Sequence, residues 1–352
     1  MSGRASNVAG ASSERAARRR AGRVRAGLVI ATGLLLAAGA CKRGNPATEQ
    51  DPATPATPAT PVTSVTPGAA TTPVTPGAAT TPVTPGAALG EGEHHLRVDG
   101  RELLLHVPAA ATATLSPLVV YLHHLGGDGS EGEGLFGLRT LSQERGYVYA
   151  VPRSLATGRE PAWNATDACC EPRQVTDDSA YLVRVLAELR ARVQIDPRRI
   201  YLVGHSNGGF MSYRFACDHA ELVAGIASIA GAMWRDVTRC RPSSPVSILH
   251  VHGTADATIR IDGGVFRGGV YPSAQLAVSS WAGFNRCRTP AVSAPVFTLS
   301  TRPAQATPTT YTGCAEGTEV ALWSLAGADH FPLEGKAAGA AVLDWLWAHP
   351  KP

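Results

Sequence analysis

Arg199-Ile200-Tyr201-Leu202-Val203-Gly204-His205-Ser206-Asn207-Gly208-Gly209-Phe210-Met211-Ser212-Tyr213 runs from an apolar stretch through a Gly-x-Ser-x-Gly turn into a helix-like continuation. A serine so placed sits on a sharp strand-to-helix turn, its hydroxyl lifted clear of the backbone. The glycines two residues either side matter because a Cβ there would collide with the adjoining element. A plain strand-ending turn would use the same residue types. Strand before and helix after favour a nucleophile elbow at Ser206. Such a serine needs an imidazole to take its proton, a carboxylate to orient that imidazole, and donors for the oxyanion.

Outward from the elbow, apolar runs and helical periodicities alternate. His94 to Val107 reads as a hairpin turning at Asp99-Gly100. Pro117 to Leu122 and Tyr147 to Val151 read as strands, and Asp177 to Val193 as a helix that Asp196-Pro197 ends. Beyond the elbow, Val223 to Ile229 and Val246 to Val251 are strand-like. A helix is predicted over Ser273 to Phe284, a strand over Glu319 to Leu325 and a last helix over Lys336 to Ala348. Strands alternating with helices imply an α/β fold: a mostly parallel, doubly wound sheet with helices on both faces. Its ligand crevice lies outside the carboxyl ends of the strands.

The polar loops at those strand ends supply the partners. Asp256, in His252-Gly253-Thr254-Ala255-Asp256, follows one strand, and His330 follows another, giving the chain order Ser, Asp, His. Asp262 is a competing acid but reads better as a turn residue, and Asp329 as a loop residue or cap. His205, His250 and His252 read as core or loop histidines, and His219 as a helix-end cation. The oxyanion donors expected are the backbone amides of Asn207 and of Leu125, the latter in His123-His124-Leu125-Gly126-Gly127. Trp163 could line an acyl pocket or serve as core. No His-Glu-x-x-His spacing occurs, so neither a metal nor another cofactor is expected.

These segments together resemble the polyhydroxybutyrate depolymerase and feruloyl esterase family of secreted α/β-hydrolases, which includes bacterial lipoproteins. The resemblance spans about Val98 to Trp347. It also draws on Trp163-Asn164-Ala165 with Cys169-Cys170, Val175-Thr176-Asp177-Asp178, Trp281 with Cys287, and Leu322 through His330. It implies a serine esterase with Ser206, Asp256 and His330 as its triad, acting on an aromatic or hydroxyalkanoate ester, polymers included. Two positions depart from the family pattern: His124 where glycine is usual, and Phe331-Pro332-Leu333 in place of Thr-Trp-Pro. A catalytically inactive envelope lipoprotein that binds carbohydrate or polymer on the same fold is the alternative.

The N-terminal part is of another kind. Residues 1–43 carry nine Arg and Lys against Glu14 alone, a charge of +8, which leaves −4 for the rest of a chain whose total is +4. The basic balance therefore belongs to the leader, and no nucleic-acid partner is expected. Residues 1–41 read as an export signal: an Arg-rich start, an apolar core from Leu28 to Ala38, then Gly39-Ala40 before Cys41. Cys41 resembles a lipoprotein cysteine, so a lipid anchor in the cell envelope is one outcome and cleavage with release the other. Residues 42–89, rich in Pro, Thr and Ala with a nine-residue repeat, read as a disordered linker, and 90–352 as the esterase domain. Six cysteines remain, which allow fifteen pairings. Cys217 with Cys240 and Cys287 with Cys314 are favoured, each joining segments that flank a core element. That leaves Cys169 and Cys170 as a vicinal pair or free thiols.

Overall fold

The computed structural model describes residues 86–352 apart from 157–159, 168, 170–175, 294–295 and 300–304. The leader, Cys41 and most of the 42–89 linker lie outside the described residues. From Leu89 the chain is already docked: its side chain packs on the core and its amide donates to the Arg192 carbonyl at 3.0 Å.

Eleven strands form the main sheet: β1 (Gly92–Val98), β2 (Arg101–Val107), β3 (Ser116–Leu122), β4 (Val148–Pro152), β5 (Ile195–His205), β6 (Gly225–Ile229), β7 (Ser247–Gly253), β8 (Arg288–Ser293), β9 (Phe297–Thr298), β10 (Gln305–Thr312) and β11 (Val320–Leu325). Their order is β1-β2-β4-β3-β5-β6-β7-β11-β10-β8, with β9 paired to β10. The stretch from β4 to β11 is parallel throughout, and antiparallel strands extend both edges. The first hairpin turns at Asp99 (φ 52°) and Gly100 (φ 75°), the positive-φ pair that a two-residue turn matching strand twist requires.

The apolar runs of the central strands are continuous because both faces are covered. Leu118, Val120 and Leu122 of β3 and Ile200 and Leu202 of β5 enter one core, with helices α2 (Asp178–Arg192), α3 (Asn207–Asp218) and α4 (Ala274–Phe284). Their neighbours Val119, Tyr121, Tyr201 and Val203 enter the other, beneath α1 (Leu138–Arg145) and α5 (Lys336–Trp347). Asp177 caps α2 by accepting the Ala180 amide, and Ser273 caps α4 through the Leu276 amide. A buried ion pair, Arg101 to Asp178 at 2.5 Å, ties β2 to the start of α2. The other oxygen of Asp178 accepts the Asn164 amide at 2.6 Å.

The disulfides Cys217–Cys240 and Cys287–Cys314 are both present. By loop-closure entropy each contributes roughly 3 to 4 kcal/mol. Cys169 is itself disulfide-bonded, which corrects the free-thiol reading for that residue; Cys170 lies outside the described residues.

One boundary and several elements differ from expectation. β5 begins at Ile195, so Asp196-Pro197 lies inside the strand and not in a connection. The strand over Glu319 to Leu325 is present as β11, but β8, β9 and β10 and the short hairpin Gly264–Phe266 with Gly269–Tyr271 lie outside the expected elements, since their Thr, Pro and Gly content gives no apolar run.

Candidate active site

Parallel register aligns the carboxyl ends of the strands that matter. Leu122 of β3 lies opposite Gly204 of β5, and Gly253 of β7 opposite Leu325 of β11. Ser206 follows β5 at φ 53°, ψ −118°, a left-handed conformation that a non-glycine residue adopts only under constraint. The constraint is close packing. A Cβ on Gly208 would run into the carbonyls of Leu122 and His123, and one on Gly204 into the backbone of Gly208. The first turn of α3 is thereby pressed onto the end of β3, where the His123–Leu125 loop begins. Gly208→Ala should cost about 3 kcal/mol or more in urea unfolding, because backbone and not a flexible side chain must move.

The three residues expected to act together are adjacent. His330 Nε2 is 2.9 Å from Ser206 Oγ, and His330 Nδ1 is 2.8 Å from Asp256 Oδ2. A carboxylate only accepts, so Nδ1 carries the proton and Nε2 accepts the serine hydroxyl. Asp256 Oδ1 accepts the amides of Thr258 (2.8 Å) and Ile259 (2.9 Å). Burial opposes the Asp256 charge, yet the bonds from His252, His330 and the Ile259 amide outweigh it and hold the carboxyl far below its usual range. Ser206 keeps 7 % exposure while the Asp256 side chain has none.

The loops bearing Asp256 and His330 are stitched together. The amides of Thr254 and Ala255 donate to the Leu325 and Ala328 carbonyls, and the Gly327 amide to Thr254 Oγ1. Gly253 lies against the Ala328 and Asp329 carbonyls, leaving no space for a Cβ. Asp329 accepts the Phe331 amide and so caps its own loop. Asp262 sits in the turn closed by the Gly263 amide to the Arg260 carbonyl. His205, read from sequence as core, has a further task. Its Nε2–H donates to the His330 carbonyl at 2.8 Å and steadies the His330 backbone from behind. Burial brings the His205 imidazole down to about 3, so it stays neutral.

Asn207 follows the serine in the chain, and Leu125 lies in the loop that begins where β3 meets the first turn of α3. The Asn207 side chain is fully engaged with Trp163, accepting its amide at 2.7 Å and donating to its carbonyl at 3.1 Å. Its backbone amide, at the first position of α3, has no preceding turn to bond. Leu125 lies in the turn closed by the Gly127 amide to the His124 carbonyl, with Gly126 at φ 76°. Trp163 has no exposed surface, so it offers nothing to a substrate. It braces the site instead, its Nε1–H donating to the His123 carbonyl at 3.0 Å.

His124, the departure noted in this loop, is clamped. Its Nδ1 is 2.7 Å from the Leu125 carbonyl and its Nε2 is 3.2 Å from Glu131 Oε1. Both partners only accept, so both nitrogens donate and the ring is an imidazolium. The Glu131 hydrogen bond raises His124 above its ordinary value. Burial works against the Glu131 charge, but the bond from His124, its own backbone amide, the His124 charge and the Asp128 amide bring its carboxyl down to about 2. The Glu131 contribution is present above its usual 4.5 and lost as pH falls toward about 2. The His124 contribution is present below 6.5 and lost as pH rises through its raised value. Thermal melts should therefore separate wild type from Glu131→Gln most between about pH 4.5 and 6.5, and less on either side.

Among the described residues no group of three or more His, Cys, Asp or Glu side chains is placed to hold a metal ion.

The strand order and the strained elbow define an α/β-hydrolase fold. No protein-family model matches the chain. It is 32% identical over 166 residues to "Putative esterase NocK" of Nocardia uniformis subsp. tsuyamanensis, covering 46% of this chain and 47% of that protein. It is 26% identical over 249 residues to feruloyl esterase B of Piromyces equi, covering 67% and 44% respectively. The chain thus spans about half the length of these curated relatives. Among solved structures it is similar to the acetyl xylan esterase from Aspergillus awamori. The TM-score is 0.52 at 14% identity, covering 73% of this chain and 99% of the other, a likeness of fold.

Proposed function

We propose that this chain is a serine carboxylic ester hydrolase in which Ser206 is the nucleophile, His330 the general base and acid, and Asp256 the acid of the triad. The observation that carries the reading is the unbroken line from Ser206 Oγ through His330 to Asp256, at 2.9 and 2.8 Å. Ser206 Oγ attacks the ester carbonyl carbon while its proton passes to His330 Nε2. The oxyanion accepts from the Asn207 and Leu125 amides. Collapse breaks the ester C–O bond, His330 returns the proton to the departing alcohol, and water repeats the sequence on the acyl-serine. The relatives' names support an ester as substrate, and the aromatic or hydroxyalkanoate class follows from the sequence resemblance. Phe331, 46 % exposed, tilted against the His205 ring and edge-to-face with His330, supplies an apolar wall beside the base. The complete line of bonds speaks against the inactive, polymer-binding alternative. Export fits the disulfides of a chain with an Arg-rich leader, with Cys41 as the lipid-bearing residue if the protein is anchored.

Hydrolysis of methyl ferulate, acetylated xylan and oligo-hydroxybutyrate by the purified protein tests the reading. Turnover of at least one, lost in His330→Ala, is expected. No turnover of these or of p-nitrophenyl butyrate would overturn it.

A further inference from the structure

A second line of hydrogen bonds, wholly buried, ends beside the same carboxylate. Tyr213 lies on α3, the helix that starts at the serine. Its hydroxyl is 2.8 Å from His250 Nδ1, His250 Nε2 is 2.9 Å from His252 Nδ1, and His252 Nε2 is 2.6 Å from the Ile259 carbonyl. His250 and His252 are two apart on β7, so both side chains leave the same face of the strand. None of the three is more than 1 % exposed.

The proton order along this line is fixed from one end. A carbonyl only accepts, so His252 carries its proton on Nε2 and its bare Nδ1 accepts from His250. His250 then carries its proton on Nε2, and its bare Nδ1 accepts the tyrosine O–H. With both rings neutral this is the only order, and a proton added to His250 would fall on Nδ1, leave no acceptor for the tyrosine O–H and put a charge in the core. Burial, with the adjacent His252, holds His250 far below its ordinary value. The far end bears on the acid. Residue Ile259, held through its carbonyl by His252, gives its amide on the preceding peptide group to Asp256 Oδ1, and His252 Nε2 itself lies 3.4 Å from Asp256 Oδ2.

We propose that Tyr213, His250 and His252 are positioning residues: a buried chain that ties the helix bearing Ser206 to the loop bearing Asp256 and fixes the carboxylate against His330. The proposal rests on the triad reading above. A buried polar chain that served only folding would affect stability and leave the His330–Asp256 bond alone. A positioning chain changes that bond and kcat, with KM unmoved.

The test compares wild type with His252→Phe, His252→Gln and Tyr213→Phe. It follows p-nitrophenyl butyrate kinetics and the low-field proton NMR resonance of His330 Nδ1–H. His252→Phe should lower kcat on the order of 10- to 100-fold with KM within about twofold, and should shift or broaden the resonance. His252→Gln, whose amide can still donate to the Ile259 carbonyl, should recover most of both. Tyr213→Phe should move both readouts in the same direction by a few-fold, about two to five. A folded His252→Phe with wild-type kcat and an unmoved resonance overturns the proposal. If that variant does not fold, an unmoved resonance and kcat in Tyr213→Phe overturns it. If wild type hydrolyses no ester, the esterase reading fails separately and the resonance alone decides the chain: moved supports it, unmoved in the folded variants overturns it.

Discussion

Ser206→Ala should lower kcat on p-nitrophenyl butyrate by about 10⁶-fold and leave the fold intact. The loss is that large because the alanine keeps every packing contact and removes only the atom that attacks. The elbow conformation, φ 53°, is imposed by the contact of Gly208 with the end of β3 and not by the hydroxyl, so it persists. Burial around the site is otherwise unchanged, and stability should stay within about 0.5 kcal/mol of wild type by urea unfolding. Retention of more than about one part in a thousand of the activity would mean that another group attacks the ester.

Asp256→Asn should cost about 10⁴-fold in kcat for a different reason. The amides of Thr258 and Ile259 both donate to Oδ1, so an asparagine places its oxygen there and its NH₂ toward His330. His330 Nδ1 then has to accept, its proton moves to Nε2, and the ring meets Ser206 with a donor where a base is needed. The geometry is preserved and the tautomer is wrong. Kinetics with a crystal structure of the variant would check both halves. Activity within tenfold of wild type would show that Asp256 does not set the tautomer.

Much of this site is legible in the sequence because it is built at strand ends. An apolar run that stops at a glycine and a polar residue marks a strand's carboxyl end, and Ser206, Asp256 and His330 each follow one. The parallel core is legible for the same reason, since strands covered on both faces lack any polar alternation. What supports the three residues is not legible. His205 and the His330 carbonyl are 125 residues apart, and Trp163 and Asn207 are 44 apart, so neither pairing leaves a local pattern. A histidine in an apolar run reads as a satisfied core residue whether or not its partner holds an active loop. His124 shows the same limit from the other side. It looks like an intrusion into a glycine-rich loop until Glu131, one short turn further on, is found to hold its ring. The edge strands β8 to β10 escape notice because Thr- and Pro-rich edges carry no hydrophobic period to read.

The most direct measurement is covalent. A fluorophosphonate probe reacts only with a serine whose hydroxyl is activated by a neighbouring base, and peptide mass spectrometry locates the adduct. One adduct per chain, on the peptide containing Ser206, and absent from Ser206→Ala and much slowed in His330→Ala, is the result this account predicts. Labelling of another residue, or equal labelling of wild type and Ser206→Ala, would contradict it.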